Sequence, residues 1–268
     1  MLHAGCDVGS LTAKAVVLKD GGILDSLVIR AKANPIESAD EVLKTLLSGL
    51  KLDIQDIDFI VSTGYGKDQV PFSKCSRSEI VCHARGAWAS HPSTRTVIDI
   101  GGQDAKVTRV DENGNVLNYR YNDKCASGTG RFLEVMGKAL EIELEEMGEI
   151  VKESTREISF SNQCVIFAET EVVSMVNEGV AIPDILAGLS RSLASRVAAL
   201  ARSVGREADV VFTGGVAKNS AVKQALAKAL NINLMSPAEI DPQVIGAYGA
   251  ALLAREICES GEDLQQAV

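Results

Sequence analysis

Residues 7–17 read DVGSLTAKAVV and residues 99–107 read DIGGQDAKV, so one short motif occurs twice in the chain. The two copies match at Asp7 and Asp99, at Gly9 and Gly101, and at Lys14 and Lys106. In each copy an apolar run ends at Asp-x-Gly, a tight turn follows, and a second apolar run begins, which predicts two strands joined by the turn. Hairpin turns follow at 20–22 and 113–115. The repeat predicts an α/β protein in which two similar domains face each other across a cleft.

The residues of the repeated turns are of the types that bind phosphate and Mg²⁺. Glycines let backbone N–H groups approach phosphate oxygens, hydroxyls add donors, and a lysine adds a point charge. Carboxylates at strand ends suit hydrated Mg²⁺, which gives up its water reluctantly. The predicted residues are Asp7, Ser10, Leu11, Thr12, Ala13, Lys14, Asp99, Gly101, Gly102 and Gln103. Two unrelated hairpins are the alternative, and the matching positions favour the phosphate site.

A third glycine turn lies in residues 210–219, which read VVFTGGVAKN. An apolar strand runs into the two glycines and a helical pattern begins near Ser220, so an open backbone turn lies at a helix N-terminus. Such a turn suits a nucleotide held between two domains. The residues predicted to lie near the adenosine are Gly214, Gly215, Lys218, Asn219 and Gln243.

Apolar periodicity predicts ten strands and seven helices. The strands are predicted near 2–8, 13–19, 23–31, 57–62, 96–101, 104–110, 115–121, 157–160, 209–213 and 232–235. The helices are predicted near 37–50, 78–90, 129–141, 165–178, 183–204, 218–229 and 242–258. The first domain is predicted to comprise residues 1–94 and 243–268, and the second domain residues 95–242.

Composition and charge argue against several classes of function. The chain has 268 residues, 46% of them hydrophobic and 24% charged, which is ordinary for a globular protein. A net charge of −9 argues against nucleic-acid binding, which requires a basic face. There is no apolar run of the roughly 18 residues that a membrane span needs, and no signal-peptide pattern at the N-terminus. These features predict a cytoplasmic protein without nucleic-acid or membrane partners.

Two of the six cysteines lie just before predicted helices. Residues 122–132 read NDKCASGTGRF, which places Cys125 ahead of a Gly-x-Gly turn that opens a helix. Cys164 likewise precedes a helix that is predicted to begin near Val165. Helix N-termini carry a partial positive charge, which stabilises an anionic group. In an apparently cytosolic chain, such thiols are better interpreted as core residues, metal ligands or catalytic groups than as disulfides.

The other four cysteines are Cys6, Cys75, Cys82 and Cys258. We interpret the first and the last as small core residues, because free cysteine often behaves as a buried hydrophobe. The middle two are seven residues apart, so one helix face would carry both, and a metal role for this pair is left open.

Taken together, these motifs resemble a known family. GCDVGSLTAK (5–14), VIDIGGQDAKV (97–107) and VVFTGGVAKN resemble the two phosphate motifs and the adenosine motif of the actin-like ATPase fold, which has two RNase H-like domains around a nucleotide cleft. NDKCASGTGRFLEVM (122–136) and SNQCVIFAETEVVSMV (161–176) resemble the activators of 2-hydroxyacyl-CoA dehydratases. That family includes ATPase subunits of benzoyl-CoA reductase and reductases of double-cubane cluster proteins. STGYG (62–66) and CHARG (82–86) are also similar to the family.

The resemblance implies that nucleotide state is coupled to electron transfer. Members of the family are homodimers that hold one 4Fe–4S cluster at the subunit interface with two cysteines from each chain, and the matching positions are Cys125 and Cys164. ATP or ADP with Mg²⁺ binds in the cleft at Asp7 and Asp99, and Gln103 orients the attacking water. A ferredoxin or flavodoxin supplies one electron, and an iron–sulfur dehydratase or reductase accepts it at low potential.

Two positions depart from the usual pattern of the family. Leu11 stands where a second small hydroxyl residue is common, which removes one hydroxyl contact to phosphate. Ser127 stands where alanine is common, and its hydroxyl adds a hydrogen bond to a cluster sulfur, which changes the reduction potential.

Two other classes of function are weighed against the activator. An actin-fold small-molecule kinase needs an acidic general base beside a sugar pocket, for which the sequence offers no separate residue, and it leaves Cys125 and Cys164 unexplained. A nucleotide-gated binding module of the chaperone or filament kind needs a peptide-binding domain, for which the chain is too short. The sequence does not identify the electron acceptor among dehydratases, aromatic-ring reductases and double-cubane proteins.

Overall fold

The computed structural model describes residues 1–161 and 164–261, and it contains two five-stranded sheets. The strands of the first sheet are β1 (Leu2–Val8), β2 (Thr12–Lys19), β3 (Gly22–Arg30), β4 (Phe59–Thr63) and β5 (Cys75–Ser76). The strands of the second sheet are β6 (Thr96–Ile100), β7 (Ala105–Val110), β8 (Val116–Asn122), β9 (Val210–Thr213) and β10 (Leu234–Met235). The order is β3-β2-β1-β4-β5 in one sheet and β8-β7-β6-β9-β10 in the other. The predicted repeat therefore extends over the whole of both sheets.

The two sheets also agree in strand direction and register. β1 pairs antiparallel with β2 and parallel with β4, and β6 pairs in the same way with β7 and β9. The matched aspartate and lysine of each copy lie directly opposite each other on the antiparallel pair. Register shifts follow Val17 in the first hairpin and Arg109 in the second, which are corresponding positions. Such bulges bend a strand locally and increase its twist.

Within residues 1–161 and 164–261, eight α-helices cover the sheets and separate them. They are α1 (Pro35–Leu50), α2 (Glu79–Ser90), α3 (Gly130–Leu140), α4 (Met147–Ile150), α5 (Val165–Asn177), α6 (Ile182–Val204), α7 (Ser220–Leu230) and α8 (Ile245–Ser260). Polar caps start several of them: the Asn34 side chain accepts a hydrogen bond from the N–H of Ile36 at 3.0 Å, and the Asn219 side chain accepts one from Val222 at 3.1 Å. Within the described residues, no helix is long and apolar enough to cross a membrane.

Helices α2 and α8 lie between the two sheets. Ala84 and Ala87 of α2 pack with Val97 and Val211 of the second sheet, while Ala250 and its neighbours on α8 pack against the first sheet. Glycines allow this close approach, because a Cβ at position 249 would lie 1.8 Å from a backbone carbonyl oxygen of α2. The side chains of α2 therefore contact both halves of the molecule.

The outer faces of the sheets carry separate apolar cores. Helix α1 presents Val42, Leu43 and Leu46 to the first sheet. The second sheet packs against α3 and α6, which bury Phe132 and Leu193 among others. All of these side chains are almost completely shielded from solvent, so each sheet has its own core as well as the shared helices.

The structure corrects the predicted elements in three places. The strand predicted at 157–160 is wrong: this segment is irregular, and Ile158 and Phe160 pack on the second core while the Ile158 carbonyl accepts a hydrogen bond from Arg191 at 2.9 Å. Its alternating pattern reflects one apolar face on α6, not a sheet position. The short strand β5 and the single-turn helix α4 were not predicted, because segments of two and four residues carry too little periodicity.

The division of the chain into domains stays a prediction. Helix α8 contacts β1, β2 and β4, as expected if the chain returns to the first half after residue 243. It also packs closely on α2, which itself contacts both sheets. Residues 262–268 of the predicted first domain lie outside the described part of the chain.

Candidate nucleotide cleft and cysteine site

A cavity of about 470 Å³ lies between the two repeated turns. Its wall includes most of the predicted nucleotide residues: Asp7, Ser10, Leu11, Thr12, Lys14, Asp99, Gly101, Gly102, Gly214, Gly215, Lys218, Asn219 and Gln243. Two predicted residues are not in the wall. Ala13 is fully buried within β2, and Gln103 is exposed at its turn. The fold therefore brings the three glycine turns, which are far apart in sequence, to one cleft.

The first two turns have the same backbone geometry. The N–H of Gly9 donates to the carbonyl of Thr12 at 3.1 Å, and the N–H of Gly101 donates to the carbonyl of Asp104 at 3.0 Å. The turns also approach each other, since a Cβ on Gly102 would lie 2.6 Å from the side chain of Leu11. We call residues 9–12 and 101–104 the first and second phosphate loops, after the role that the sequence predicts for them. Leu11, which departs from the usual pattern of the family, thus makes an apolar contact between the two loops.

The two repeated lysines have different surroundings. Lys14 Nζ forms one ion pair in the cleft, with Asp7 at 3.0 Å. Lys106 Nζ lies 2.6 Å from Asp104, 3.4 Å from Glu79 and 3.7 Å from Asp99. Burial opposes the charged form of Lys106, but these three carboxylates outweigh it and raise its pKa. Lys106 is therefore a buried cation that joins α2 to the second phosphate loop.

Burial also changes the pKa of Glu79, at the start of α2. Loss of solvent raises the pKa of this carboxyl to about 7, although the charge of Lys106 opposes the shift. Asp99 behaves in the opposite way, because His83, Lys106 and Lys14 outweigh its burial and lower its pKa. The cleft thus contains one carboxyl whose pKa is lowered and one whose pKa is raised to about 7.

His83 connects the central helices to the second sheet. Its Nδ1 lies 3.1 Å from the hydroxyl of Thr213 and 3.4 Å from a carboxylate oxygen of Asp99. A Cβ at Gly246 of α8 would lie 2.7 Å from its Nε2 and 3.2 Å from Asp7. The histidine therefore packs at the junction of both phosphate-site carboxylates, and only glycine fits beside it on α8.

A second repeated element was missed in the sequence. Thr63 is the last residue of β4 and Thr213 is the last residue of β9, and a glycine follows each of them. In both cases the threonine lies opposite the aspartate of the repeated motif in the parallel ladder. Both glycines have positive φ, 87° and 84°, and a Cβ on either would lie within 2.6 Å of an aspartate carboxylate oxygen. The signal was present as Thr-Gly in STGYG and FTGGV, separated from the first motif by different lengths of chain.

Several residues in the cleft wall were also not predicted as site residues. They are Arg30, Tyr65, Glu79, His83, Asp104, Lys106, Gly130, Leu133, Glu134, Leu144, Glu145 and Val216, whereas Gly9, which is also in the wall, was predicted with its counterpart Gly101. Lys106 was recognisable as the counterpart of Lys14, and His83 lies in CHARG. For Glu79 the sequence carries no comparable signal, because its position depends on how α2 crosses between the sheets.

The turn predicted to approach adenosine is tied to neighbouring elements. Asn219 caps α7, Lys218 pairs with Asp241 at 2.9 Å, and the N–H of Gly214 donates to the carbonyl of Pro242 at 2.9 Å. Gln243 Nε2 reaches the hydroxyl of Thr12 at 3.5 Å. The last contact crosses from the α8 segment to the first phosphate loop.

The second phosphate loop is also bonded to the start of α3. The carbonyl of Gly101 accepts a hydrogen bond from the N–H of Gly130, and that of Gly102 accepts one from Arg131, both at 2.8 Å. The segment immediately before these amides contains Cys125, at the start of a short 3₁₀ turn, Ala126–Gly128. These bonds therefore connect the loop to the backbone that follows the Cys125 turn, five and six residues after the cysteine.

Both predicted cluster cysteines start helical segments. Cys125 lies before the 3₁₀ turn and is half-buried, with its Sγ 3.1 Å from the hydroxyl of Ser127 and 3.6 Å from Nη1 of Arg196. The hydrogen bond from Ser127, with a smaller contribution from Arg196, lowers the pKa of this thiol despite its partial burial. Cys164 is exposed at the first turn of α5.

The remaining cysteines are different. Cys6 and Cys82 are fully buried, and burial raises the pKa of both thiols, in Cys82 to about 12. Cys75 lies in β5 while Cys82 lies in α2, so the idea that one helix face carries the two is wrong. Cys258 is half-buried on α8.

The chemistry of the pair Cys125 and Cys164 fits a cluster shared between two chains. A 4Fe–4S cluster usually takes four thiolates. In the described part of the chain, no three His, Cys, Asp or Glu side chains gather into a metal site. The thiol of Cys125 is disposed to ionise, and that of Cys164 is accessible. For Mg²⁺ the cleft offers two buried carboxylates beside glycines that leave space at their oxygens.

Two matching sheets, paired Asp-Gly turns and a cleft with a third glycine turn define the actin-like ATPase fold, which also includes sugar kinases. Residues 4–254 match the BadF/BadG/BcrA/BcrD ATPase family, and the chain belongs to that family.

Several similar proteins are named as dehydratase activators. The activator of lactoyl-CoA dehydratase of Anaerotignum propionicum is 44% identical, over 97% of this chain and 99% of that protein. The (R)-2-hydroxyglutaryl-CoA dehydratase activating ATPase of Acidaminococcus fermentans is 44% identical over 93% of this chain and 95% of its own. The structure of the activator of the 2-hydroxyisocaproyl-CoA dehydratase from Clostridium difficile with bound ADPNP superposes with a TM-score of 0.93 at 42% identity, covering 100% of this chain and 98% of that one.

Proposed function

We propose that the chain is an ATP-dependent one-electron activator of an iron–sulfur enzyme of the 2-hydroxyacyl-CoA dehydratase type. It works as a homodimer, with one 4Fe–4S cluster held by Cys125 and Cys164 of each chain. The observation that carries the proposal is the pair of hydrogen bonds from the second phosphate loop to the start of α3, next to Cys125. A kinase or a chaperone of this fold has no need of a thiol at that place.

An exposed apolar surface on α5 supports the homodimer. Ile166 is 71% exposed and Phe167 61%, and Val173 and Val176 further along the helix are also exposed. The opposite face, with Ala168 and Val172, packs into the protein. Contiguous exposed apolar side chains commonly mark an interface. Because Cys164 begins this helix, a second chain seated here would bring the cysteines of both chains near one twofold axis.

The cysteines differ in how the protein prepares them for a cluster. When bound, the cluster supplies one-electron transfer at low potential. Ser127 and Arg196 stabilise the thiolate of Cys125, and the N-terminal dipole of α5 favours an anionic sulfur at Cys164. Both thiolates therefore lie where positive charge or hydrogen-bond donors offset their negative charge.

In the cleft, the residues of the chain bind the phosphates and handle the proton of the attacking water. Lys14 and Lys106 provide positive charge, and the glycine turns provide backbone N–H groups. Asp7 and Asp99 would hold Mg²⁺, which would supply positive charge to the phosphates. Glu79 has a pKa near neutral and lies beside Lys106, so it is suited to accept the proton. Orientation of the water by Gln103 stays a prediction, as does the placement of adenosine beside Gly215.

Coupling follows from two connections between the cleft and the cysteine site. The phosphate loop is bonded to the first amides of α3, and α3 packs against α5, the helix that Cys164 begins. A shift of the loop when the γ-phosphate is lost would move both helices. Glu79 and His83 of α2 contact Lys106 and Asp99, so the same shift changes the contacts between the two sheets.

The proposed function is tested by measuring electron transfer from the reduced dimer to a dehydratase component. The anaerobically purified dimer is reduced with dithionite, freed of excess reductant and mixed with a 2-hydroxyacyl-CoA dehydratase component. Electron paramagnetic resonance then reports loss of the donor signal. We expect rapid transfer with Mg-ATP and little with Mg-ADP, while Lys14→Ala keeps its iron and fails to transfer. Equal transfer with and without ATP would contradict the proposal.

Other electron acceptors of the same type remain alternatives, namely a double-cubane cluster protein or the catalytic part of benzoyl-CoA reductase. The named relatives at 44% identity favour a dehydratase. A small-molecule kinase is less well supported: Glu79 would supply an acidic group, but Cys125 and Cys164 would have no role. ATPase activity without sugar phosphorylation separates these classes. A ferredoxin or flavodoxin donor and a cytoplasmic location stay predictions.

A further inference from the structure

Arg196 of α6 lies against the sulfur of Cys125. Its Nη1 is 3.6 Å from the Sγ, within hydrogen-bonding distance for sulfur. The hydroxyl of Ser127, which is almost fully buried, lies 3.1 Å from the same sulfur. The Nδ2 of Asn122 donates to the carbonyl of Cys125 at 2.8 Å. Three side chains from three elements thus hold one cysteine, and only Arg196 brings a positive charge.

The position of Arg196 is fixed by the helix that carries it. Helix α6 has 23 residues, and Leu193, Ala194, Val197 and Ala198 around Arg196 are buried in the second core. Beside the arginine is a cavity of about 380 Å³, which Asn122, Gly128 and Leu200 also line. Arg196 therefore borders a cavity while its Nη1 contacts the Cys125 sulfur, and the helix that carries it is anchored in the core on both sides of the arginine.

The other arginines of α6 have different partners. Arg191 donates to the carbonyl of Ile158, and Arg202 donates to the carbonyl of Ala229 at 2.6 Å. These contacts connect α6 to neighbouring backbone segments, and Arg191 also forms an ion pair with Glu157 at 3.6 Å. A guanidinium directed at a sulfur is different, because its charge acts on whatever the sulfur binds.

We propose that Arg196 is a positioning residue that raises the reduction potential of the cluster held by Cys125. The inference rests on the proposed function. A positive charge and an N–H donor beside a ligand sulfur stabilise the added electron, because reduction makes the cluster more negative. Two copies act on one cluster by symmetry. In a chain of net charge −9 they keep the cluster reducible by a physiological donor. Ser127 acts in the same direction without a charge.

The test is a redox titration of the anaerobic dimer, monitored by electron paramagnetic resonance, with iron content measured on the same samples. Arg196→Gln removes the charge and keeps a similar shape. At the potential that half-reduces the wild type, we expect the ratio of reduced to oxidised cluster to fall about tenfold, which for one electron is a shift of about 59 mV to more negative values. Ser127→Ala should shift it less, in the same direction.

Two controls separate charge from packing. Arg196→Lys keeps the charge and should stay close to the wild-type potential, and Arg202→Gln, on the same helix, should leave it unchanged. If Arg196→Gln loses its iron, Arg196→Lys must retain it, since loss in both variants would show a packing role and overturn the inference. Equal potentials in wild type and Arg196→Gln would also overturn it, with the proposed function intact. A wild-type dimer without a cluster would overturn both this inference and the proposed function.

Discussion

Replacement of Glu79 by glutamine tests the proton-accepting role in the cleft. Glutamine keeps the size of the side chain but cannot accept a proton from water. General-base catalysis commonly contributes a factor of about 10² to 10⁴. We therefore expect Glu79→Gln to lower kcat for Mg-ATP hydrolysis by at least about 100-fold, while ATP affinity changes by less than about threefold, because Lys14 and the glycine turns remain.

The pKa of Glu79 adds a pH signature. With a pKa of about 7, the ionised fraction of this carboxyl rises about tenfold between pH 6 and pH 8. The groups that act on it are Lys106, Asp104, Asp7 and Asp99. Wild-type kcat should rise across this range and level off above it. The residual rate of Glu79→Gln should lack that rise.

The stability of the wild-type protein should fall as pH rises, whereas its kcat rises. The pKa of Glu79 is raised on folding from 4.5 to about 7, so the folded state binds this proton more tightly than the unfolded state. Proton binding by Glu79 therefore adds up to about 3 kcal/mol to the free energy of unfolding. This contribution is complete below about pH 4.5 and disappears as pH rises through 7. The glutamine variant keeps a neutral group at all pH values. Relative to wild type it should therefore gain stability between pH 5 and pH 8 in denaturant unfolding.

The assay is phosphate release from Mg-ATP by the anaerobic dimer without a dehydratase, with calorimetry for ATP affinity. Gln103→Ala is the matched comparison. Because Gln103 is exposed at its turn, we expect Gln103→Ala to slow hydrolysis more than binding, but less than Glu79→Gln does. Wild-type kcat in Glu79→Gln, with its pH profile preserved, would refute the role of Glu79.

Three further predictions concern binding, packing and assembly. Lys14→Ala removes the cation of the first phosphate loop and should weaken ATP binding about tenfold or more in calorimetry; unchanged affinity would refute that assignment. Gly249→Ala places a Cβ 1.8 Å from a carbonyl oxygen of α2 and should lower the free energy of urea unfolding by about 1–3 kcal/mol. Gly49→Ala, whose Cβ lies in open space on α1, should leave this free energy unchanged or raise it. Equal effects of the two substitutions would contradict the packing of α8 on α2. Phe167→Asp should yield iron-poor monomers that still bind ATP, whereas Leu117→Asp, on exposed β8, should remain dimeric in sedimentation; a dimeric Phe167→Asp would exclude this face.

Much of the architecture was predictable because one motif occurs twice in the sequence, at residues 7–17 and 99–107. The match of Asp7, Gly9 and Lys14 with a second copy identified a duplicated α/β fold, and the register of β1–β2 and β6–β7 confirms this. Seven predicted helices are present, since their apolar stripes and caps are local features. The strand expected at 157–160 is absent because alternation arises equally when an irregular segment packs on α6.

The centre of the site was less predictable for a physical reason. Glu79 and His83 face the phosphate loops only because α2 lies between the sheets, and this depends on close contacts of glycines with α8. Likewise, Arg196 reaches Cys125 across 71 positions of the chain. Short motifs describe turns and strand ends, whereas these side chains are placed by tertiary packing. His83 belongs to CHARG, whereas Glu79 and Arg196 carried no comparable local signal.

Iron stoichiometry tests the central claim most directly. The anaerobic wild-type dimer should contain about four irons per two chains. Cys125→Ser and Cys164→Ser should each be nearly empty, because one substitution removes two thiolates from a symmetric site, yet both should still bind ATP. Cys75→Ser, a half-buried cysteine of the first sheet, should keep its iron. Four irons on a stable monomer, or full iron in Cys164→Ser, would contradict a cluster shared between the two chains.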